Sequence, residues 1–335
     1  MINRRDFLTR TAGVAGSVLL PPRLLAQSGI QLEKLNYCEI RVSDTARSIA
    51  FYQDVFGMPV QARGDGRTFL KIGANNQYMA VREVMAGESP AITQLGYSVS
   101  NFDPEDTQAA LVANGFTRID PPDVTAPGID NAMNTWIRER GGTPTLYFSD
   151  ARGVIVQLTD PSWCAGSGPL GSNCGAPEAV NPGSIALSDI NHFTCFVSDG
   201  AAANVFYQDF FDLEIQAFQG PNGPVTGIGD GYQFVMYAGG GGGSTPANIH
   251  HVSFNMDNFV VDEVLGNLEK HGITDRGERR TAEMMHYISL RMPERGGAEG
   301  GTPEVYFTDP DGILMQIQDT SYCGGGGYLG SECLK

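Results

Sequence analysis

Apolar and polar positions alternate from Leu35 to Val42, the period of a strand with one buried face. Asp44 follows as a helix cap, and Ile49, Tyr52, Val55 and Phe56 recur at helical spacing until Gly57 stops the run. A second strand pattern covers Gln94 to Val99. Asp103-Pro104 then opens a helix that closes at Asn114-Gly115, and strands follow around Thr145 to Phe148 and Val154 to Thr159. The same series starts again at Ile190 and at Ile249. The pattern predicts four strand-helix-strand-strand-strand (βαβββ) units with curved antiparallel sheets, an α+β protein.

The units repeat in sequence as well as in pattern. Phe51-Tyr52-Gln53-Asp54 returns as Phe206-Tyr207-Gln208-Asp209, and Tyr147-Phe148-Ser149-Asp150 returns as Tyr306-Phe307-Thr308-Asp309. We read a tandem duplication: a first domain over 33–160, a Gly/Pro/Ser-rich linker over 161–188, a second domain over 189–320 and a tail over 321–335. Cys164 and Cys174 recur as Cys323 and Cys333 at equal spacing, which predicts two local disulfides. A four-thiolate zinc site would instead have to draw on the ends of two domains. Cys38 and Cys195 sit in apolar strands and read as buried free thiols. The glycine runs Gly239 to Gly243 and Gly324 to Gly327 lack the Lys-Ser/Thr of a phosphate loop and read as turns.

The first 26 residues read as an export signal, with Arg4-Arg5 ahead of a short apolar run from Ala12 to Leu20 and a cleavage point after Ala26. They resemble a twin-arginine signal, which implies a folded passenger and a periplasmic or secreted destination. Removing them takes four arginines and one aspartate from the chain, so its formal charge falls from −16 to −19. Such a charge excludes nucleic-acid and anionic-membrane partners for the mature chain.

A duplication exposes what only one half carries. All five histidines lie in the second half, where His192 and His251 stand in place of Tyr37 and Gln94. Ile190-Asn191-His192-Phe193, His251-Val252-Ser253-Phe254, and Val305-Tyr306-Phe307-Thr308-Asp309-Pro310-Asp311-Gly312 followed by Met315-Gln316-Ile317 resemble the vicinal oxygen chelate superfamily. That group includes glyoxalase I, bleomycin and fosfomycin resistance proteins and extradiol ring-cleaving dioxygenases. The resemblance implies that paired units form a cup, with His192, His251 and Gln316 as metal ligands in the second domain and a metal-free first domain around Tyr37, Gln94 and Gln157. Two imidazoles and an oxygen donor suit Fe(II) or Mn(II), with Zn as a further choice. The substrate is then a small molecule with vicinal oxygens.

The chain departs from the extradiol pattern at Gln316, where that pattern has Glu, and at Ala298-Glu299-Gly300, where it has a His. His286 is the candidate replacement acid or base, Tyr306 a further catalytic candidate, and Glu294, Glu299 and Glu304 are the nearby carboxylates. Three functions follow: an exported extradiol-type dioxygenase on a catechol-like or enediol substrate, an oxygen-independent lyase or isomerase of the glyoxalase type, and a small-molecule binding or resistance protein. Whether the cup closes within one chain or across a homodimer stays open at this point.

Overall fold

The structure is a computed structural model that describes residues 28–122, 133–239, 247–280 and 282–334. The expected export signal, residues 1–26, and most of the first glycine run lie outside these residues. Among the described residues no helix is long and apolar enough to cross a membrane.

The first unit runs β1 (Leu32–Val42), α1 (Thr45–Phe56), β2 (Val60–Gly64), β3 (Arg67–Lys71) and β4 (Tyr78–Glu83). Its local signals act as the sequence suggests. The Asp44 side chain accepts from the Arg47 amide, and Gly57 ends the helix in the left-handed region at φ +63°. Strand β1 lies parallel to β4, while β2, β3 and β4 form an antiparallel meander. The second unit repeats this plan with β5 (Ala91–Val99), α2 (Pro104–Ala113), β7 (Asn134–Arg140), β8 (Thr143–Ser149) and β9 (Ile155–Thr159), plus a two-residue strand β6 (Thr117–Arg118). Pairing of β1 with β5 joins the two units into one curved sheet, with the helices outside and a cup inside.

The second half follows the same order. It contains β10 (Leu187–Phe196), α3 (Gly200–Phe211), β11 (Ile215–Phe218), β12 (Pro224–Gly227) and β13 (Phe234–Ala238). Then come β14 (Asn248–Met256), α4 (Val261–Lys270), β15 (Thr274–Asp275), β16 (Met285–Arg291), β17 (Thr302–Thr308) and β18 (Leu314–Asp319). Antiparallel β10 and β14 close this cup within a single chain.

The halves meet through the repeated motifs themselves. Tyr52 of α1 donates its hydroxyl to the Asp309 carboxylate at 3.0 Å, and Tyr207 of α3 donates to Asp150 at 2.9 Å. Phe56 packs on Phe307 and Phe148 on Phe211, so one apolar core runs through the seam. Gln77 and Gln233 bridge β1 and β10 in matching fashion, each donating to the Leu35 carbonyl. Cys164–Cys174 and Cys323–Cys333 are disulfides, and Cys38 and Cys195 are buried and free.

Candidate functional site

The second cup gathers the three residues singled out by sequence. His192 on β10, His251 on β14 and Gln316 on β18 come from strands that pair in the order β10-β14-β18, so each reaches the same floor. All three are buried. The two imidazoles face each other with Nε2 to Nε2 at 3.2 Å. His192 lies flat against Phe234 at 4.2 Å between ring centres and 8° between planes, with Tyr322 at 5.7 Å. These rings fix its orientation. Burial holds both imidazoles neutral, pushing His192 down to about 3 and His251 well below the usual range.

The tautomer of His192 is set by a neighbour that sequence reasoning missed. Asn191 donates its amide nitrogen to the Tyr322 carbonyl at 2.8 Å, which orients its oxygen toward His192 Nδ1 at 2.6 Å. An amide oxygen only accepts, so Nδ1 carries the proton and Nε2 presents a bare lone pair to the cup. The one available signal was adjacency to His192. His251 Nδ1 lies 2.9 Å from His250 Nδ1.

Gln316 completes the floor. Its amide lies beside both imidazoles, yet its oxygen and nitrogen are buried with no well-formed hydrogen bond. In the first cup, Gln157 at the matching place accepts from the Tyr147 hydroxyl at 2.9 Å. The second cup diverts the equivalent hydroxyl, because Tyr306 donates to Glu304 at 3.3 Å. Glu304 in turn accepts from Arg291 and from the Tyr322 hydroxyl, both at 2.9 Å. Gln316 is thus released from the bond that occupies its counterpart.

The donor set fits a divalent metal. Two metal–nitrogen bonds of about 2.1 Å at an angle of about 100° put the nitrogens as far apart as these are. Neutral imidazoles and an amide oxygen are the forms that ligate. Among the described residues no group of three or more His, Cys, Asp or Glu side chains is arranged as a metal site, so any metal here rests on the amide as third ligand.

Tyr306 stands at the wall, its ring edge-on to His251 at 5.3 Å and stacked on Tyr287 at 5.1 Å. Burial, with Glu304 beside it, raises the phenol well above its ordinary range, so it remains a proton donor. The expected role of His286 is corrected by the pleat. Tyr287 faces the cup, so His286 faces the other side, where its Nε2 lies 3.3 Å from Glu269 of α4. It cannot serve the cluster as acid or base. Glu294 and Glu299 are exposed in the loop before β17, and of the three carboxylates only Glu304 enters the cup.

Comparison with known proteins agrees with this architecture. Residues 34–129 match the family model of the Glyoxalase/Bleomycin resistance protein/Dioxygenase superfamily. No curated protein sequence matches the chain. Among solved structures, homoprotocatechuate 2,3-dioxygenase from Brevibacterium fuscum in complex with 3,4-dihydroxyphenylacetate superposes with a TM-score of 0.58. The two are 18% identical over 87% of this chain and 82% of that one. The Arthrobacter globiformis enzyme of the same name gives 0.57 at 17% identity, over 86% and 80%. The likeness is one of fold.

Proposed function

We propose that the chain is an exported, metal-dependent enzyme of the extradiol ring-cleaving type, with His192, His251 and Gln316 holding Fe(II) or Mn(II) in the second cup. Its substrate is a catechol-like or enediol small molecule that offers two neighbouring oxygens. The observation that carries this reading is the Gln316 amide, which has no well-formed hydrogen bond and lies beside two inward-facing imidazole nitrogens. The fold likeness to dioxygenases, one of them complexed with a catechol, supports it. A bound metal would supply Lewis acidity toward both substrate oxygens.

The chain's own residues do the rest. Asn191 presents the His192 lone pair, and burial keeps both ligands unprotonated at neutral pH. Tyr306 keeps its proton, which it donates to Glu304, and lines the wall with Tyr287 as an aromatic face beside it. The proposal takes residues 1–26 as the twin-arginine signal and the halves as products of tandem duplication, the first without metal.

Gln316 also favours a second reading, a small-molecule binding protein without turnover. A neutral amide in place of a carboxylate lowers metal affinity and leaves a bound Fe(II) harder to oxidise. Elemental analysis of periplasmic protein tests the site. Near-stoichiometric iron or manganese in the wild type, absent from His192→Ala and His251→Ala, is expected. Oxygen uptake with catechols then separates the dioxygenase from a lyase or isomerase. A wild type that neither contains nor accepts metal would sink the catalytic reading and leave the binding protein.

A further inference from the structure

The two cups can be compared position by position, and the surroundings of one arginine differ between them. Arg291 ends β16 opposite Thr302, and its guanidinium is fully engaged. Nε donates to Glu304 at 2.9 Å, Nη1 to the Gly296 carbonyl at 2.9 Å and Nη2 to the Gly325 carbonyl at 2.8 Å. Arg140 ends β7 opposite Thr143 in the same way. Thr145, however, stands where the second cup has Glu304, and Trp163 stands where Tyr322 completes that carboxylate. Arg140 Nε and Nη2 are buried without a hydrogen-bond partner among the described residues. Its guanidinium carbon lies over the Tyr147 ring, 5.4 Å from the centroid.

The buried carboxylate of the first cup is already committed. One oxygen of Glu39 accepts from Arg67 Nε at 2.5 Å and the Tyr37 hydroxyl at 3.2 Å, and the other from Arg82 Nε at 3.2 Å and Thr93 at 2.9 Å. Arg82 is further paired with Glu88. Among the described residues the first cup therefore holds one guanidinium, Arg140, with no direct carboxylate contact, and Glu39, already bonded to Arg67 and Arg82, acts on it only through space. Beside it lies a cavity of about 270 Å³ lined by Arg140, Thr145, Phe69 and Trp163, with Arg63 and Asp65 also along its lining. Arg63 is paired with Glu178 and Asp65 is exposed, so Arg140 is the cation left for a ligand.

We propose that this cavity binds a small aromatic carboxylate, whose carboxylate takes the place that Glu304 fills in the second cup and whose ring lies against Trp163 and Phe69. The match is chemical on both counts. Nε and Nη2 are adjacent donors that the protein leaves unmet, and once that edge of the guanidinium turns to the cavity it takes a carboxylate bidentately, in a bond that burial strengthens. Trp163 is already the centre of an aromatic box, edge-on to Tyr37, Phe69 and Tyr78 at 5.5 to 6.0 Å. A flat ring extends that packing.

Both tryptophans of the chain, Trp136 and Trp163, belong to this cup, so tryptophan fluorescence, excited selectively over tyrosine, reports on it. The full chain is titrated with benzoate, phenylacetate and 1-naphthoate, with benzamide as the neutral isostere and sulfate as a bare anion. Saturable binding of at least one carboxylate is expected, with benzamide weaker by tenfold or more. Thr145→Glu, which builds the second cup's carboxylate into the first, should abolish the signal while the melting temperature holds or rises. Arg140→Gln should weaken binding about tenfold. The proposal is overturned if no carboxylate saturates in the millimolar range, or if benzamide binds as well as benzoate. It also fails if sulfate competes fully, or if Thr145→Glu still binds. No residue of the second cup takes part, so the result is independent of the metal reading.

Discussion

Asp309 has an environment that makes its charge a liability, and replacing it with asparagine should stabilise the protein. The side chain is fully buried at the seam. Burial is the main cause that lifts its carboxyl from 3.8 to about 6, and Asp311 adds to the lift, against opposing bonds from the Ile313 and Asp311 amides and the Tyr52 hydroxyl. Between pH about 4 and 6 the folded chain keeps a proton that the unfolded chain sheds. Stability therefore falls as pH rises through that window, and above it the folded state bears a cost of about 3 kcal/mol. Asparagine has no charge to desolvate. Its oxygen can accept from the Asp311 and Ile313 amides at 2.9 Å, as Oδ1 does now, and its nitrogen can donate to the Tyr52 oxygen.

Urea unfolding followed by far-ultraviolet circular dichroism, from pH 4 to 7.5, measures the difference between Asp309→Asn and wild type. The variant should be more stable by up to about 3 kcal/mol at pH 7.5, with the gap closing towards pH 4. Asp150, also raised by burial, should respond in the same direction. A variant less stable at pH 7.5, or a gap constant with pH, would refute the reasoning.

Further perturbations reach the site and its frame. Asn191→Leu removes the acceptor that fixes the His192 tautomer, and metal affinity measured by chelator competition should fall about 10- to 100-fold while His192 itself is kept. Replacing Cys323 and Cys333 by serine should cost about 3 kcal/mol in thermal unfolding, because the bridge closes a short loop. Gly57→Ala should lower stability by about 1–2 kcal/mol or more, since its φ is +63° and a Cβ there would lie 2.5 Å from the Gly183 amide nitrogen.

What the sequence reveals here is local. Asp44, Gly57 and Asp103 act on their own helix ends, so neighbouring residues suffice to read them. The repeat singles out His192 and His251, but the grouping of His192, His251 and Gln316 rests on the resemblance to the vicinal oxygen chelate superfamily, which carries long-range pairing that no local period encodes. His286 shows the limit of that method. Residues on both faces of β16 are buried in places, so alternation alone did not say which face looked into the cup. Arg291, Glu304 and Tyr322 form one network across strand β16, strand β17 and the tail. Their partnership is a property of sheet register and of the loop closed by the second disulfide. Asn191 was legible only as the neighbour of a histidine, and its role depends on a carbonyl contributed by Tyr322.

The paired Tyr–Asp contacts at the seam have a consequence for how the two halves can change over time. Tyr52 serves the half that carries the histidines, and Tyr207 serves the half that does not. Each half supplies what the other needs to bury an acid, so neither can be discarded without exposing the apolar faces of Phe56, Phe307, Phe148 and Phe211. The cups answer to no such reciprocity. Their linings are free to drift apart, one toward imidazoles and one toward an arginine with Thr145 where the other has Glu304, while the seam between them stays under joint constraint.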